Sequence, residues 1–318
     1  MNAIQGLHHI TAVAKNPQVN LDFYAKVLGQ RLVKTTVNFD DPGTYHLYYG
    51  DETGAPGTIM TFFPWPHIVK GQAGAGETGA VAYNIPSGSF DYWMDRLSSF
   101  DLNPIEGDNR FGERTILFDD PDGMHLELVE TQKTNVIQHW SDGPVGPEQA
   151  LQGFHGVTLW LNQVEPTAKL LTEELGYTFV STEGNRSRYK SASDEIGLFI
   201  DLLHTPALGR GRFGAGSIHH IAFRTVDDEE QLAYLEKLRA AGEQVTSVKD
   251  RQYFHSIYFR SPGGVLFEIA TDAPGFLYDE PIDVLGQSLK LPPWLEARRS
   301  QIEEALPALE RHSQKATS

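Results

Sequence analysis

Two spacings of apolar residues follow one another along the chain, in the same order more than once. In RTILFDDPDGMHLELV (114–129) and HSIYFRSPGGVLFEIA (255–270), strand-like runs flank a turn containing Pro and Gly, which predicts a β-hairpin in each. The two runs align without a gap at an offset of 141 positions (255 against 114). Ile116 falls on Ile257, Phe118 on Phe259, Pro121 on Pro262, Gly123 on Gly264 and Glu127 on Glu268. Upstream of each hairpin the spacing becomes helical, in FDYWMDRLSSF (90–100) and EEQLAYLEKLRAAG (229–242). Short strands precede the helices, AVAYNI (80–85) and HHIAFRT (219–225).

Two further stretches resemble each other. GLHHITAV followed by VNLDFYAKVLGQRLVK matches GFHGVTLW followed by PTAKLLTEELGYTFVS, with Leu28-Gly29 on Leu175-Gly176 where a helix would be capped. The chain therefore reads as four β-α-β-β-β modules, at 6–64, 79–131, 152–206 and 216–272. One module presents a curved half-sheet that cannot bury its own face, so the expected fold class is α+β, with paired modules closing two cup-shaped partial barrels. Turn-rich HWSDGPVGPEQALQ marks a linker at 139–152 between an N-terminal half (1–138) and a C-terminal half (153–318). The stretch 67–79 is expected to be a flexible connection, and 291–310 one capping helix.

Composition narrows the chemistry. The 318 residues carry a net charge of −16, which argues against nucleic acid or an anionic membrane as partner. There is no cysteine, which removes disulfides, thiolate metal sites, iron–sulfur clusters and a cysteine nucleophile together. MNAIQGLHHI lacks the basic and apolar regions of a secretory signal, and no apolar run approaches membrane-spanning length, so the expected location is the cytoplasm. A homo-oligomer is compatible with these features.

Against this background the histidine doublets of GLHHITAVAK (6–15) and GSIHHIAFRT (216–225) stand out. Alternation puts His219 and His220 on opposite faces of their strand and Glu268 on one face with Leu266 and Ala270. If the first and last strands of module four lie close, His220 and Glu268 converge, and a second imidazole must come from module one (His9) or module three (His155). Module three has Ile200 or Asp201 at the position of the glutamate, and the last strand of module one has no acid, so only module four supplies both groups. Two imidazoles and a carboxylate with open positions suit Fe(II), Mn(II), Zn(II) or Co(II).

With this pattern the chain resembles the vicinal oxygen chelate superfamily, and within it the hydroquinone-type, extradiol ring-cleaving dioxygenases. Further segments carry the likeness: TVNFDDPGTYHLYYGD, GAPGTIMTFFPWP, GRGRFGAGSIHHIAFR, DRQYFHSIYFRSPGGVLFEIATDAPGF and LPPWLE. The resemblance implies that modules one and four share a metal held by His9, His220 and Glu268. Related two-domain catechol enzymes would draw on module three and hence on His155, but only His9 stands in a doublet like that of module four. The resemblance also implies Fe(II), a small aromatic substrate and O2, with His8, Thr11, His219, Arg251 and Tyr258 around the substrate as proton relays and charge stabilisers. His46, His125 and His255 are expected to be structural or solvent-exposed. Two rivals use the same fold. One is a glyoxalase-type lyase or isomerase, which needs a second carboxylate where module one has Ile59, Met60 or a neighbour and no acid; the other is a non-enzymatic quinone- or drug-binding protein.

Overall fold

The computed structural model describes residues 2–132 and 137–311; the parts of the two sequence halves at 133–136 and 312–318 lie outside the described residues. Module one contains β1 (Leu7–Ala14), α1 (Pro17–Asp22), β2 (Arg31–Asn38), β3 (Asp41–Gly50) and β4 (Ile59–Pro64). Module two contains β5 (Glu77–Pro86), α2 (Phe90–Ser99), β6 (Ile105–Glu106), β7 (Thr115–Asp119) and β8 (His125–Thr131). Module three contains β9 (Phe154–Leu161), α3 (Glu165–Lys169), β10 (Thr178–Glu183), β11 (Arg186–Lys190) and β12 (Phe199–His204). Module four contains β13 (Ile218–Thr225), α4 (Asp228–Ala240), β14 (Lys249–Asp250), β15 (Phe254–Arg260) and β16 (Leu266–Pro274).

The four predicted modules are thus present, and they form two eight-stranded sheets. One runs β14-β15-β16-β13-β1-β4-β3-β2 and joins modules four and one; the other runs β10-β11-β12-β9-β5-β8-β7-β6 and joins modules three and two. First strands meet at each centre, β1 antiparallel to β13 and β5 antiparallel to β9. Helices pack outside, where Tyr234, Leu235 and Leu238 of α4 and Trp93 and Leu97 of α2 enter the core. Asp227 caps α4 by accepting from the Glu230 N–H, with three acidic residues in the first turn opposing the helix dipole.

Two expectations need correction. The stretch 67–79 is no free connection: Lys70, Gln72 and Ala75 bridge to Ala215, Arg212 and Arg210 of the equivalent connection in the other half. The tail is also not a single helix. A 3₁₀ turn at Glu296–Arg298 leads into α5 (Arg299–Ala305), because Pro292-Pro293 and Pro307 lack the N–H groups a longer helix needs. The segment still caps, burying Leu291, Leu295, Ile302 and Leu306. Among the described residues no helix is long and apolar enough to cross a membrane.

Candidate metal centre

The β1–β13 register explains how the histidine doublets work. His9 pairs with Ala222, and Thr11 pairs with His220, but the register slips by one residue at each end of this run. The extra residues are His8 on β1 and His219 on β13, two bulges related by the local two-fold between the modules. A bulge breaks strict alternation, so the doublet partners do not point to opposite faces as expected. Instead His8 and His9 bring their Nδ1 atoms to 2.9 Å, and His219 and His220 bring theirs to 2.7 Å.

Glu268 enters through the next pairing. It sits beside Ala222 in the parallel β13–β16 ladder, so Glu268, Ala222 and His9 form one row across three strands. The single methyl of Ala222 leaves room for the two long side chains to meet over it. His9 Nε2 and His220 Nε2 lie 3.3 Å apart, and Glu268 Oε2 lies 3.3 Å from the first and 2.8 Å from the second. Three ligands at right angles and about 2.1 Å from an ion have donors about 3 Å apart, so this triangle fits one face of an octahedral metal site.

The surroundings support that fit. Glu268 is completely buried, and its Oε2 has no aligned hydrogen-bond donor, while Oε1 accepts from Ser256 Oγ at 2.5 Å. A cation between the buried carboxylate and the two imidazole nitrogens would satisfy all three. Burial opposes ionisation of Glu268, but His9 and His220 outweigh it and hold the carboxyl well below its usual range. Burial also pushes His8 far down and His219 down to about 3, each reinforced by its neighbouring histidine, so both rings stay neutral. With an ion in place, His9 and His220 would donate Nδ1–H to the neutral rings behind them and turn each Nε2 lone pair toward the triangle.

The triangle opens into a cavity of about 200 Å³ walled by Phe39, Phe63, Trp65 and Phe254, with His219, Arg251 and Tyr258 among its polar lining. Arg251 donates from Nε to the Tyr258 hydroxyl (3.2 Å) and from Nη1 to Asp40 (3.1 Å), joining module four to the β2–β3 turn of module one. Burial and Glu268 raise the Tyr258 phenol above its ordinary value, so it remains a neutral O–H. His8 and Thr11 differ from expectation, for neither lines the cavity. His8 stands behind His9 because the bulge places it there, and Thr11 is a buried acceptor for Thr61 Oγ1 at 2.9 Å.

His46 is a further correction: it lines the cavity beside Tyr48 rather than serving only as structure or facing bulk solvent. Alternation in TYHLYYG puts His46 and Tyr48 on one face and could have flagged them. His125 and His255 are partly exposed and pair with Asp119 and Asp228, in line with expectation.

His155 lies in the other sheet and cannot reach the triangle. There Glu127, Ala82 and Gly156 form the row equivalent to Glu268, Ala222 and His9, so His155 corresponds to His8. A Cβ on Gly156 would strike the Phe199 carbonyl, and Ala80 stands where module four has His220. The depth of this second cup holds side-chain ion pairs instead, beside a cavity of about 380 Å³ lined by Asn84, Glu113, His155 and Lys190. Arg110 holds Glu127 at 2.7 Å, while Arg188 bridges Asp201 (2.8 Å) and Glu113 (2.5 Å).

The family model of the Glyoxalase/Bleomycin resistance protein/Dioxygenase superfamily matches residues 6–128 and 153–269. The chain belongs to this superfamily. Within it, the chain groups with ring-cleaving dioxygenases. It is 51% identical over 301 residues to "Putative ring-cleaving dioxygenase MhqO" of Bacillus subtilis, covering 95% of each chain. It is 36% identical over 309 residues to the chlorohydroquinone/hydroquinone 1,2-dioxygenase of Sphingobium indicum, covering 94% of this chain and 95% of that one. A crystal structure of a Bacillus subtilis protein, 49% identical, superposes with a TM-score of 0.94 over 98% of this chain and 99% of that one.

The buried histidines make acid stability a test of the site. His8, His46, His219 and His220 all lie below the free imidazole value, chiefly through burial, so the unfolded chain takes up protons near pH 6.5 that the folded chain refuses. The stability of the metal-free protein is therefore complete above about pH 6.5 and falls as pH drops below it, by roughly 1.4 kcal/mol per pH unit for each net proton. Asp120, raised to about 7 by burial, works in the opposite direction and offsets one of them. Thermal melts of metal-free protein should drop by several degrees between pH 7.5 and 5; a flat profile would contradict the neutral-imidazole assignment.

Proposed function

We propose that the protein opens the aromatic ring of a hydroquinone or catechol with O2, using a divalent ion, Fe(II) by preference, held by His9, His220 and Glu268. The observation that carries this reading is the buried donor triangle on the wall of an aromatic cavity. Its two-imidazole, one-carboxylate composition is that of metal sites that leave open positions for substrate and O2. When bound, the ion supplies Lewis acidity towards a ring hydroxyl and one-electron chemistry towards O2. The name of the Sphingobium indicum relative supports the substrate class and a cut beside a ring hydroxyl.

The chain's own groups do the rest. Phe39, Phe63, Trp65 and Phe254 clamp a flat ring and exclude water; a cavity of about 150 Å³ is enough for benzene, and this one is larger. Neutral His219 accepts from His220 at Nδ1 and so keeps its hydrogen on Nε2, which makes it a hydrogen-bond donor on the cavity wall rather than a base. Arg251 brings a fixed positive charge to the same wall and aligns the Tyr258 O–H, so negative charge developing on the ring or on oxygen meets oriented donors. The glyoxalase-type alternative is disfavoured by Thr61: the row Thr61–Thr11–His220 mirrors Glu268–Ala222–His9 and puts a threonine, not Ile59, Met60 or an acid, where the second carboxylate would stand.

Protein loaded anaerobically with one Fe(II) per chain should consume one O2 per ring, with both oxygen atoms in the opened product. Iron-loaded protein that takes up no oxygen with any hydroquinone or catechol would defeat the reading.

A further inference from the structure

Away from the triangle, the cavity wall carries a hydrogen-bond chain with a fixed direction. Thr61 Oγ1 donates to Thr11 Oγ1 at 2.9 Å, which uses its one hydrogen. His46 Nε2, 2.8 Å from the same Thr61 oxygen, must then carry the proton and donate to it. A neutral ring so oriented presents a lone pair at Nδ1, and the Tyr48 hydroxyl lies 2.8 Å from that atom and donates to it. The Tyr48 oxygen is left with lone pairs only. Thr11 and Thr61 are fully buried, and the His46 and Tyr48 rings pack with centroids 4.0 Å apart.

The second cup shows what these positions can otherwise hold. By register, Arg188 stands for Tyr48 and Asp201 for Thr61, with Thr158 in place of Thr11. There a guanidinium–carboxylate cluster occupies the corresponding depth of the cup. The metal-bearing cup instead keeps an uncharged chain ending in a phenol oxygen on the wall of an open cavity.

We propose that Tyr48, oriented by His46, is the specificity residue that reads the second hydroxyl of the substrate. The oxygen accepts from a hydroxyl on the ring position remote from the metal, and refuses an ether or a halogen there, which has no hydrogen to give. The inference rests on the ring-diol reading above and names the part of the pocket that would distinguish a diol from a monophenol.

The test measures binding apart from turnover. Protein loaded with redox-inert Zn(II) is titrated without oxygen with hydroquinone and with 4-methoxyphenol, in which a methyl group replaces the remote hydroxyl hydrogen. Wild type should prefer hydroquinone by about ten-fold, the worth of one well-placed hydrogen bond. Tyr48→Phe should lose that preference by weakening hydroquinone alone. His46→Leu should bring the two ligands within about two-fold by another route, because the freed Tyr48 O–H can turn and donate to the ether oxygen. A preference that survives Tyr48→Phe, or a variant that loses both ligands equally, overturns the assignment. Oxygen uptake by the iron-loaded wild type decides the ring-cleavage reading separately, so either conclusion can fall without the other.

Discussion

Glu268→Gln is expected to cost the protein its metal and its activity while sparing the fold. The amide keeps an oxygen for Ser256, whose Oγ donates to Oε1 in the wild type. Its NH2 takes the place of Oε2 and can donate to the inward-facing nitrogens of His9 and His220, which lie 3.3 and 2.8 Å away. The metal-free variant is therefore as stable as metal-free wild type, or more so, since a buried anion has been removed. Metal binding has lost its only charged donor among the described residues of the triangle. Loss of the ion removes several kcal/mol of transition-state stabilisation, so turnover should fall by roughly 10³-fold or more. Metal analysis after gel filtration, with circular dichroism as the fold control, checks both parts. Stoichiometric metal in folded Glu268→Gln would show that the triangle is not the site.

Lys34→Met should give the largest loss of stability. Lys34 is wholly buried on β2, and its ammonium meets Asp279 at 2.6 Å, Glu280 at 2.5 Å and the Phe276 carbonyl at 3.1 Å. It also lies 4.8 Å above the Tyr253 ring, and the Tyr253 hydroxyl donates to Asp279. One cation thereby fixes the segment that follows β16 against module one. It also braces the turn after β14, where Arg251 begins its reach to Tyr258. Methionine fills the volume but leaves Glu280, itself buried, without its counter-charge. Breaking such a pair from one side costs about 3–5 kcal/mol. Urea unfolding should show a loss of that size, and Lys34→Met combined with Glu280→Gln should recover part of it. A single-variant loss under about 1 kcal/mol would contradict this account.

Modules two and four were legible because each hairpin carries its own turn with Pro and Gly and each helix its own spacing, and modules one and three through their likeness to each other. The triangle was legible for a related reason: Glu268 is a charge among apolar strand neighbours, and the doublets recur at matching module positions. What the sequence could not show depends on pairing between strands. The bulges at His8 and His219 exist only in the register of β1 against β13, so alternation read from one strand put the doublet partners on opposite faces. His155 is a different case: the match of GLHHITAV with GFHGVTLW already set it under His8 and Gly156 under His9, and the register of β5 against β9 agrees. Lys34 gave no signal at all, because a lysine in RLVKTTVN reads as a solvated position until the partner carboxylates arrive from 245 residues or more further on.

The row linking Glu268 to His9 also ties the chain nearly end to end. Its ligands come from residue 9 at one extreme and from 220 and 268 at the other, so an ion bound there acts as a reversible cross-link around most of the polypeptide. Closing so long a loop removes conformational freedom chiefly from the unfolded chain, as a long-range disulfide does. During synthesis the site cannot exist until its last strand has emerged, and neither sequence half alone contains it. Metal loading would thus report that both halves have been made and have folded together.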